Sequence, residues 1–220
     1  MTSSASTVPT RSDRGPHHAH DLVDPAILYW GTPVVLVSTL NEDGSPNLAP
    51  ISSVFWLGRT ATLGFGLASH TLTNLQRTGE CVLNLPGARQ VTAVDRVALT
   101  TGAQPVPPWK SANGYVHWRD KFGRAGLTPV AGRVVEAPLA AECPVAMEAM
   151  LDAVHLTDHA IVQVQVQQVH VHPSIRLAGS ENRIDPDRWR PLIMSFQRFY
   201  SLGAEVFPSR LASIDEEAYR

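Results

Sequence analysis

The alternation of apolar and polar positions predicts β-strands along much of the first half of the chain. The stretch TPVVLVSTLNEDGSPNLAPISSVFWL has two β-rich arms around Asn41-Glu42-Asp43-Gly44, where Gly44 suits a positive φ, so we predict a hairpin. The segments TATLGFGL and CVLNLP predict two further strands. The glycines of the first of these, Gly64 and Gly66, leave room for a close approach to the backbone.

Two helices are predicted in the same half of the chain. The segment ASHTLTNLQRTGE can be capped by Ser69 or Thr71 at its start and ended by Gly79. The segment VTAVDRVALTT has apolar residues at mixed spacings of three and four. The following stretch, residues 102–129, is dense in proline, glycine and aromatic residues, and we predict a long irregular loop there.

The C-terminal third returns to strands. The segment VAMEAMLDAVHLTDHAIVQVQVQQVHVH predicts a long hairpin that turns near Thr157-Asp158. Its valines lie at even positions up to Val166 and at odd positions from Val169, so a β-bulge is expected across Gln167-Gln168. Because bulges bend strands, the predicted fold class is mainly β with helices, in the form of a β-barrel.

The pattern also suggests how the chain is divided. We expect a disordered N-terminal tail over residues 1–24, one domain over residues 25–205 and a C-terminal tail over residues 206–220. The tail has no apolar run typical of a secretory signal, and no segment reaches the roughly 20 apolar residues of a membrane-spanning helix. We therefore expect a cytoplasmic protein without a membrane role.

Charge and cysteine content narrow the function classes. The formal net charge is −2, from 18 basic and 20 acidic residues, and this balance argues against a nucleic-acid partner. The two cysteines, Cys81 and Cys143, have no metal-ligand spacing and are expected to be buried free thiols.

Familiar catalytic and metal motifs are absent from the sequence. It has no GxGxxG after a first strand, no phosphate-binding P-loop, no HExxH and no GxSxG. His170 and His172 are two apart and lack an obvious third ligand, so we expect solvent-facing strand histidines and no metal site. Glu142 and Glu148 are expected at surface or barrel-end positions.

Two uncharged polar clusters remain as candidate chemistry. The first, residues 47–53 (NLAPISS), is either a satisfied polar bend or a ligand-binding strand. The second, residues 69–74 (SHTLTN), lies where a strand leads into a helix. Its hydroxyls are explained by helix capping or by an anion such as phosphate at the free N–H groups of the helix start.

The order of several motifs then becomes informative. They are Asn47, Pro50 and Ser52; Thr71 and Asn74; Thr78-Gly79-Glu80 with the VLNL strand; the segments RDKFGRAGLTPV and AECPVAMEA; and TDHAIVQVQV with Asp158 and His159. Over roughly residues 25–200 this order resembles the flavin reductase-like family with the FMN-binding split-barrel fold. Thr157 and Val164 depart from it, since glycine is usual at both positions.

The resemblance implies a homodimer that holds FMN, or FAD as in some relatives, at the subunit interface. It implies NADH or NADPH as co-substrate and a partner monooxygenase that receives the reduced flavin. The chain would then be an NAD(P)H-dependent flavin reductase. Two alternatives stay open, namely an FMN oxidoreductase that acts directly on a small organic substrate and a flavin-binding module without reductase turnover.

The resemblance also assigns roles to the two clusters. The strand over residues 47–53 would lie along the flavin ring, the second cluster would hold the ribityl phosphate, and the aromatic-rich segment from Trp109 to Phe122 could cover the ring. The implied cofactor-binding residues are Asn47, Leu48, Ala49, Pro50, Ser52, Ser53, Ser69, His70, Thr71, Asn74 and Lys121. His159 is the catalytic candidate, on the nicotinamide side.

Overall fold

The computed structural model describes residues 20–219, so most of the predicted N-terminal tail lies outside the described residues. In chain order the strands are β1 (Trp30–Pro33), β2 (Val35–Leu40), β3 (Pro46–Ile51), β4 (Val54–Leu57), β5 (Thr60–Phe65), β6 (Glu80–Leu85), β7 (Thr100–Thr101), β8 (Val116–His117), β9 (Pro129–Val130), β10 (Leu139–Ala140), β11 (Val145–Leu156), β12 (Ala160–Val171), β13 (Leu192–Ser195) and β14 (Arg198–Ser201). The helices are α1 (His70–Thr78), α2 (Val91–Ala98), α3 (Pro108–Ala112) and α4 (Lys121–Ala125).

A curled seven-stranded antiparallel sheet, in the order β3-β2-β6-β11-β12-β5-β4, forms the centre of the fold. The two edge strands, β3 and β4, follow each other in the chain and are joined by Ser52-Ser53. At this junction the Gly64 N–H donates to the Ser53 carbonyl at 2.8 Å, and a β-carbon on Gly64 would lie only 2.8 Å from that of Ser53. Glycine at position 64 therefore allows the two ends of the sheet to meet, and the predicted β-barrel is observed as a half-barrel.

Two apolar cores pack on opposite faces of the sheet. The inner core contains Val35, Val37, Leu63 and Val162, and α1 closes one end of it with Leu72 and Leu75. On the outer face, Leu36 and Leu48 pack against α2 and α4 through Val94, Val97 and Phe122. The alternation along β2 and β3 thus directs successive side chains to different cores.

The long hairpin of β11 and β12 contains the expected bulge. Glu148 pairs with Gln168 and Ala149 with Val166, so Gln167 is the extra residue, and this prediction is confirmed. Arg59 stabilises the site, because its guanidinium donates to the carbonyls of Val166 and Gln167 at 3.0 and 2.8 Å. A second irregularity, at Asp152 on β11, was not predicted.

Both predicted helices are observed. Ser69 caps α1, its Oγ accepting the Leu72 N–H at 3.4 Å, and Gly79 ends the helix at a φ of 73° with its N–H bonded to the Leu75 carbonyl at 2.8 Å. The predicted loop over residues 102–129 contains the short helices α3 and α4 and strand β8. The predicted hairpin arm after the turn differs in one respect, since it divides into β3 and β4 at the two serines.

The expectation of a surface position was wrong for Glu148, and of the two histidines only His172 is exposed as expected. Glu148 is fully buried, and its Oε2 accepts the backbone N–H groups of residues 133–135 at 2.6–2.9 Å. His170 lies beside it, with Nε2 2.5 Å from Oε1, while His172 lies beyond the end of β12. Burial raises the pKa of Glu148, but the bonds from His170 and the three amides outweigh it and lower the pKa to about 2.

The remaining findings concern the cysteines, apolar helices, metal-ligand groups and the C-terminal tail. Cys81 and Cys143 are buried and free, as predicted. Within residues 20–219, no helix is long and apolar enough to cross a membrane, and no group of three or more His, Cys, Asp and Glu side chains is arranged to hold a metal ion. Short 3₁₀ turns occupy Arg210–Ser213 and Glu216–Tyr219 within the predicted C-terminal tail, and the domain boundaries stay predictions.

Candidate functional site

A pocket of about 200 Å³ lies between the end of the edge strand β3, the end of β5 and the start of α1. Its walls come from the end of β3, the end of β5, the end of α2 and the segment around α3. The lining residues are Ala49, Pro50, Ile51, Gly64, Phe65, Gly66, Ser69, Ala98, Thr100, Trp109, Lys110 and Tyr115. The lining has no carboxylate and no histidine, so it can position a ligand but offers neither of these groups for proton transfer.

The β3 wall supplies backbone hydrogen-bonding groups. β3 is an edge strand that pairs only with β2 among the strands of residues 20–219. An edge strand keeps half of its N–H and C=O groups free of a neighbouring strand. Pro50 has a carbonyl but no N–H, and a proline in an edge strand turns that side away from the neighbouring strand. The wall therefore offers a backbone acceptor beside a mostly apolar pocket, which suits a planar ring with a polar edge.

Behind this wall lies a buried polar network that begins at Lys121. The Lys121 ammonium is only 2% exposed and donates to Asn47 Oδ1 at 3.0 Å. The Asn47 amide nitrogen then donates to Thr39 Oγ1 at 3.1 Å and to Thr71 Oγ1 at 3.0 Å. The network thus joins α4, β3, β2 and the first turn of α1.

The network continues to His70 at the start of α1. Asn74 Nδ2 donates to Thr39 Oγ1 at 3.2 Å and to Asn41 Oδ1 at 3.0 Å. The same Asn41 oxygen lies 2.8 Å from His70 Nε2. The His70 ring packs against Gly102, where a β-carbon would collide with it. The first turn of α1 is therefore fixed by side chains from the hairpin.

The only two lysines of the chain, among 18 basic residues, flank this site. Lys110 Nζ donates to the Ala68 carbonyl at 3.1 Å and lies 5.8 Å from the ring centroids of both Trp109 and Tyr115. Among residues 20–219, neither lysine forms an ion pair with a carboxylate. Both ammonium groups are therefore at least partly removed from solvent, and their hydrogen-bond acceptors, the Ala68 carbonyl and Asn47 Oδ1, are neutral.

The pKa values reflect this unbalanced positive charge. Burial and then the charge of Lys110 lower the pKa of Lys121 from 10.5 to about 8. Burial also lowers the pKa of Lys110. Burial, Lys121 and Lys110 in turn lower the pKa of His70. A bound anion would reverse these electrostatic effects, since an opposite charge favours the charged form of each base.

The start of α1 adds to the positive potential. Its first turn carries no acidic residue, and the free N–H groups of a helix start attract anions. Ser69, the cap of α1, also lines the pocket. Capping and anion binding are therefore compatible readings of the second polar cluster, because one serine contributes to both.

The remaining predicted site residues are more dispersed. Leu48 points into the outer core, and only its backbone belongs to the β3 wall. Ser52 lines a separate small cavity, and Ser53 Oγ lies 2.9 Å from the Tyr29 hydroxyl. His159 is exposed in the β11–β12 turn, next to Ala160, which pairs with Phe65 of the pocket. His159 does not line the pocket itself.

Sequence reasoning missed three residues of the site. Thr39 and Asn41 were assigned only to a strand and a turn, although both connect the network. Lys110 was included only as part of the segment that could cover a ring. The signal for Lys110 was available, because lysine is rare in this chain and both copies flank one site.

Comparison with known proteins gives one family. The family described as "Flavin reductase like domain" matches residues 29–203. A Bacillus subtilis (strain 168) relative, "Uncharacterized protein YdfE", is 39% identical over 188 residues, which cover 84% of this chain and 90% of that protein.

Solved structures show the same fold at lower identity. Flavoredoxin of Desulfovibrio vulgaris (Miyazaki F) is 22% identical with a TM-score of 0.72, over 89% of this chain and 99% of that one. Nitrilotriacetate monooxygenase component B from Bacillus cereus is 19% identical with a TM-score of 0.67, over 87% and 100%. The Streptomyces globisporus C-1027 NADH:FAD oxidoreductase SgcE6 is 18% identical with a TM-score of 0.61, over 85% and 100%.

Replacement of Lys121 by methionine should change how stability depends on pH. Between about pH 8 and 10.5 the unfolded chain still holds the proton that folded Lys121 has released, so the free energy of unfolding of the ligand-free protein should rise by about 3 kcal/mol over this range. Urea titrations at several pH values should show that Lys121→Met flattens the rise. Lys110→Met is the matched control, with a smaller effect, because Lys110 is less buried. An unchanged slope in Lys121→Met would contradict the buried-ammonium assignment.

Proposed function

Because this chain belongs to the flavin reductase-like family, we propose that it is an NAD(P)H-dependent flavin reductase that uses FMN. The observation that carries the proposal is the combination of an apolar pocket beside an edge strand with two lysines that lack a carboxylate partner. A flavin mononucleotide has matching parts, namely a planar ring with a polar edge and a phosphorylated chain. The start of α1, whose cap Ser69 lines the pocket, is consistent with a bound phosphate.

The residues present fit a flavin in two separate regions. The backbone of β3 at Pro50 would meet the polar edge of the ring, and the lack of side chains at Gly64 and Gly66 leaves space on the opposite wall. Lys110 and the start of α1 would hold the phosphate, and Lys121, which is buried behind the wall, would add its positive charge to the potential there. A second cavity of about 560 Å³ adjoins His70 and offers space for an adenylate, so FAD is the alternative cofactor.

The side chains of the polar network position other groups of the site and are not proposed to contact the flavin. Asn47, Thr71 and Asn74 have their hydrogen bonds satisfied within the protein, so we assign them the role of fixing Lys121 and the first turn of α1. Trp109 and Tyr115, with ring centroids 5.9 Å apart, would exclude water from one side of the pocket. When bound, the flavin supplies the group that accepts hydride from the nicotinamide, a reaction for which the protein provides binding, orientation and electrostatics.

His159 stays a proposal for the nicotinamide side. It is exposed one residue before the strand that pairs with Phe65, so it lies near the rim of the pocket without entering it. From that position a polar contact with a co-substrate is the role we propose. The lining of the pocket does not distinguish NADH from NADPH.

We also propose that the functional unit is a homodimer. The pocket of about 200 Å³ is below the roughly 300–1,000 Å³ typical of ligand sites, so one protomer encloses only part of a flavin. The edge strand β4 exposes Phe55 and Leu57, which are 53% and 74% accessible, close to the junction at Ser53. A second copy that covers this edge would bury both side chains and complete the enclosure.

Two further proposals concern the reaction partners of the protein and its cellular compartment. A partner monooxygenase is supported by the likeness to a monooxygenase component B, and a nicotinamide donor by the likeness to an NADH:FAD oxidoreductase. Two buried free thiols fit a reducing compartment, and the cytoplasm is the location that we propose.

The activity is tested by anaerobic mixing of the FMN-loaded protein with NADH or NADPH. We expect the visible absorption of the flavin to bleach with at least one nucleotide, and steady-state oxidation of that nucleotide to increase with added free flavin. Bleaching without dependence on free flavin would favour direct action on a small substrate. No bleaching with either nucleotide would contradict the reductase proposal and leave a binding module.

The phosphate assignment is tested by comparing FMN with riboflavin, which lacks the phosphate. Lys110→Gln and Lys121→Gln should each weaken FMN binding by about tenfold or more, because each removes a charge from the phosphate site. Riboflavin binding should change by less than about threefold. Arg210→Gln, an exposed charge outside the pocket, is the control. Equal losses for FMN and riboflavin in fluorescence titrations would show that the lysines do not recognise the phosphate.

The homodimer is tested by sedimentation of the flavin-loaded protein. We expect a dimer, and we expect Leu57→Glu to shift it toward monomer with weaker flavin binding, since the charge would be buried at the proposed interface. Leu211→Glu, at a similarly exposed leucine in the C-terminal 3₁₀ turn, is the matched control. A flavin-loaded monomer of the unmodified protein would contradict the proposal.

A further inference from the structure

A cavity of about 570 Å³, lined by several arginines, lies apart from the proposed flavin pocket. It forms where the residues after β6, the end of β12 and the segment before β13 meet. It shares no lining residue with the flavin pocket or with the cavity beside His70. Its volume is within the range typical of small-molecule sites. The proposed reductase activity gives this cavity no role.

Two backbone connections fix the arginines of this cavity. The Ala88 N–H donates to the Arg190 carbonyl at 2.9 Å, and the Leu192 N–H donates to the Pro86 carbonyl at 3.1 Å. Arg89 and Arg190, which both line the cavity, therefore lie on two chain segments that are bonded to each other. The third arginine, Arg188, has its Nε 3.2 Å from Asp185 Oδ2.

The charge of the cavity lining is unbalanced. Among residues 20–219, the side chains of Arg89 and Arg190 have no hydrogen bond or ion pair, although both line the cavity. The only carboxylate in the lining is Glu142, and both of its oxygens accept from Thr128 at 2.8–3.1 Å. Two guanidinium groups are thus free to bind a ligand.

In a neighbouring cavity the lining arginines are bonded to protein groups, which provides a comparison for Arg89 and Arg190. It is lined by Arg59, Arg176 and Arg183. Arg59 donates to two carbonyls of the bulge, Arg176 donates to the carbonyls of residues 180 and 181, and Arg183 pairs with Asp215 at 2.7 Å. The arginines of that cavity have protein partners, whereas Arg89 and Arg190 do not.

His172 and Trp189 complete the first cavity. His172 Nδ1 accepts the Ser174 N–H at 3.1 Å, so the neutral ring carries its hydrogen on Nε2 as a further donor. Trp189 is half-buried and adds an aromatic surface to the lining. Guanidinium groups bind carboxylates and phosphates through paired hydrogen bonds and also stack on planar groups.

We propose that this cavity binds a small anion in which a planar aromatic ring is joined, directly or through a sugar, to a carboxylate or a phosphate. The anionic group would lie between Arg89 and Arg190, and the ring would lie against Trp189. A nucleotide and an aromatic carboxylate share this chemistry. The site does not depend on flavin, and the proposal stands apart from the proposed reductase activity.

The test is calorimetric titration of the full-length, FMN-saturated protein with adenosine 5′-monophosphate and, separately, with benzoate. Saturable binding of at least one of them is expected, and the one that binds identifies the nucleotide or the carboxylate source. The neutral analogues adenosine and benzamide should bind about tenfold or more weakly. FMN saturation keeps the probes out of the flavin pocket, and the variants distinguish the arginine cavity from the cavity beside His70.

Variants locate the binding. The double variant Arg89→Gln, Arg190→Gln should weaken the bound anion by about tenfold or more, whereas Arg210→Gln should change it by less than about twofold. FMN affinity should be unchanged in both variants, which also shows that they are folded. The two single variants, each at an exposed side chain, provide the same comparison if the double variant does not fold.

Three results would overturn the proposal. The first is the absence of saturable binding by either anion. The second is binding that persists unchanged in the arginine variants. The third is binding that is lost on Lys110→Gln while the arginine variants retain it, because the anion would then occupy the flavin region.

Discussion

The arrangement of the site depends on a buried ammonium group whose only partner is neutral. Lys121 lies beneath the edge strand, and a single amide oxygen of Asn47 accepts from it. Removing such a charge from water is costly unless a counter-charge is supplied, and residues 20–219 supply none. With Lys110 and the start of α1, Lys121 makes this end of the half-barrel attractive to a phosphate. The polar network is then the scaffold that keeps the positive charge in place.

Much of the fold could be predicted because its signals are local. The shift of valines across Gln167 reported a bulge, and Ser69 and Gly79 marked the two ends of α1. At Asp152 the core-facing positions also change, from odd (Met147, Leu151) to even (Val154), but apolar residues at Ala146, Met150 and Ala153 obscure that shift in the sequence. The division of the arm at Ser52-Ser53 depends on the closure against Gly64. The surface position expected for Glu148 was wrong because its partners are distant in sequence. They are backbone amides of a loop that has no recognisable sequence motif.

The grouping of the candidate residues could be predicted better than their hydrogen-bond partners. The resemblance indicated two clusters, and the structure brings Asn47, Thr71, Asn74, His70 and Lys121 into one network. Asn47 was expected to face a ring, yet its amide is occupied by Thr39, Thr71 and Lys121. Lys121 is 74 residues from Asn47 along the chain, and periodicity cannot report a contact between residues so far apart. The same limit hid the contribution of Thr39 and Asn41.

The central claim is that Lys121 is a buried cation that contributes to phosphate binding. It is tested most directly by nuclear magnetic resonance of the lysine side chains. Isotope-labelled lysine gives only two side-chain signals in this protein, and one substitution assigns them. We predict that the pKa of Lys121 is about 8 in the ligand-free protein, well below the ordinary 10.5. Binding of FMN should raise this pKa, whereas binding of riboflavin should not. A midpoint near the ordinary value without ligand, or one that FMN leaves unchanged, would contradict it.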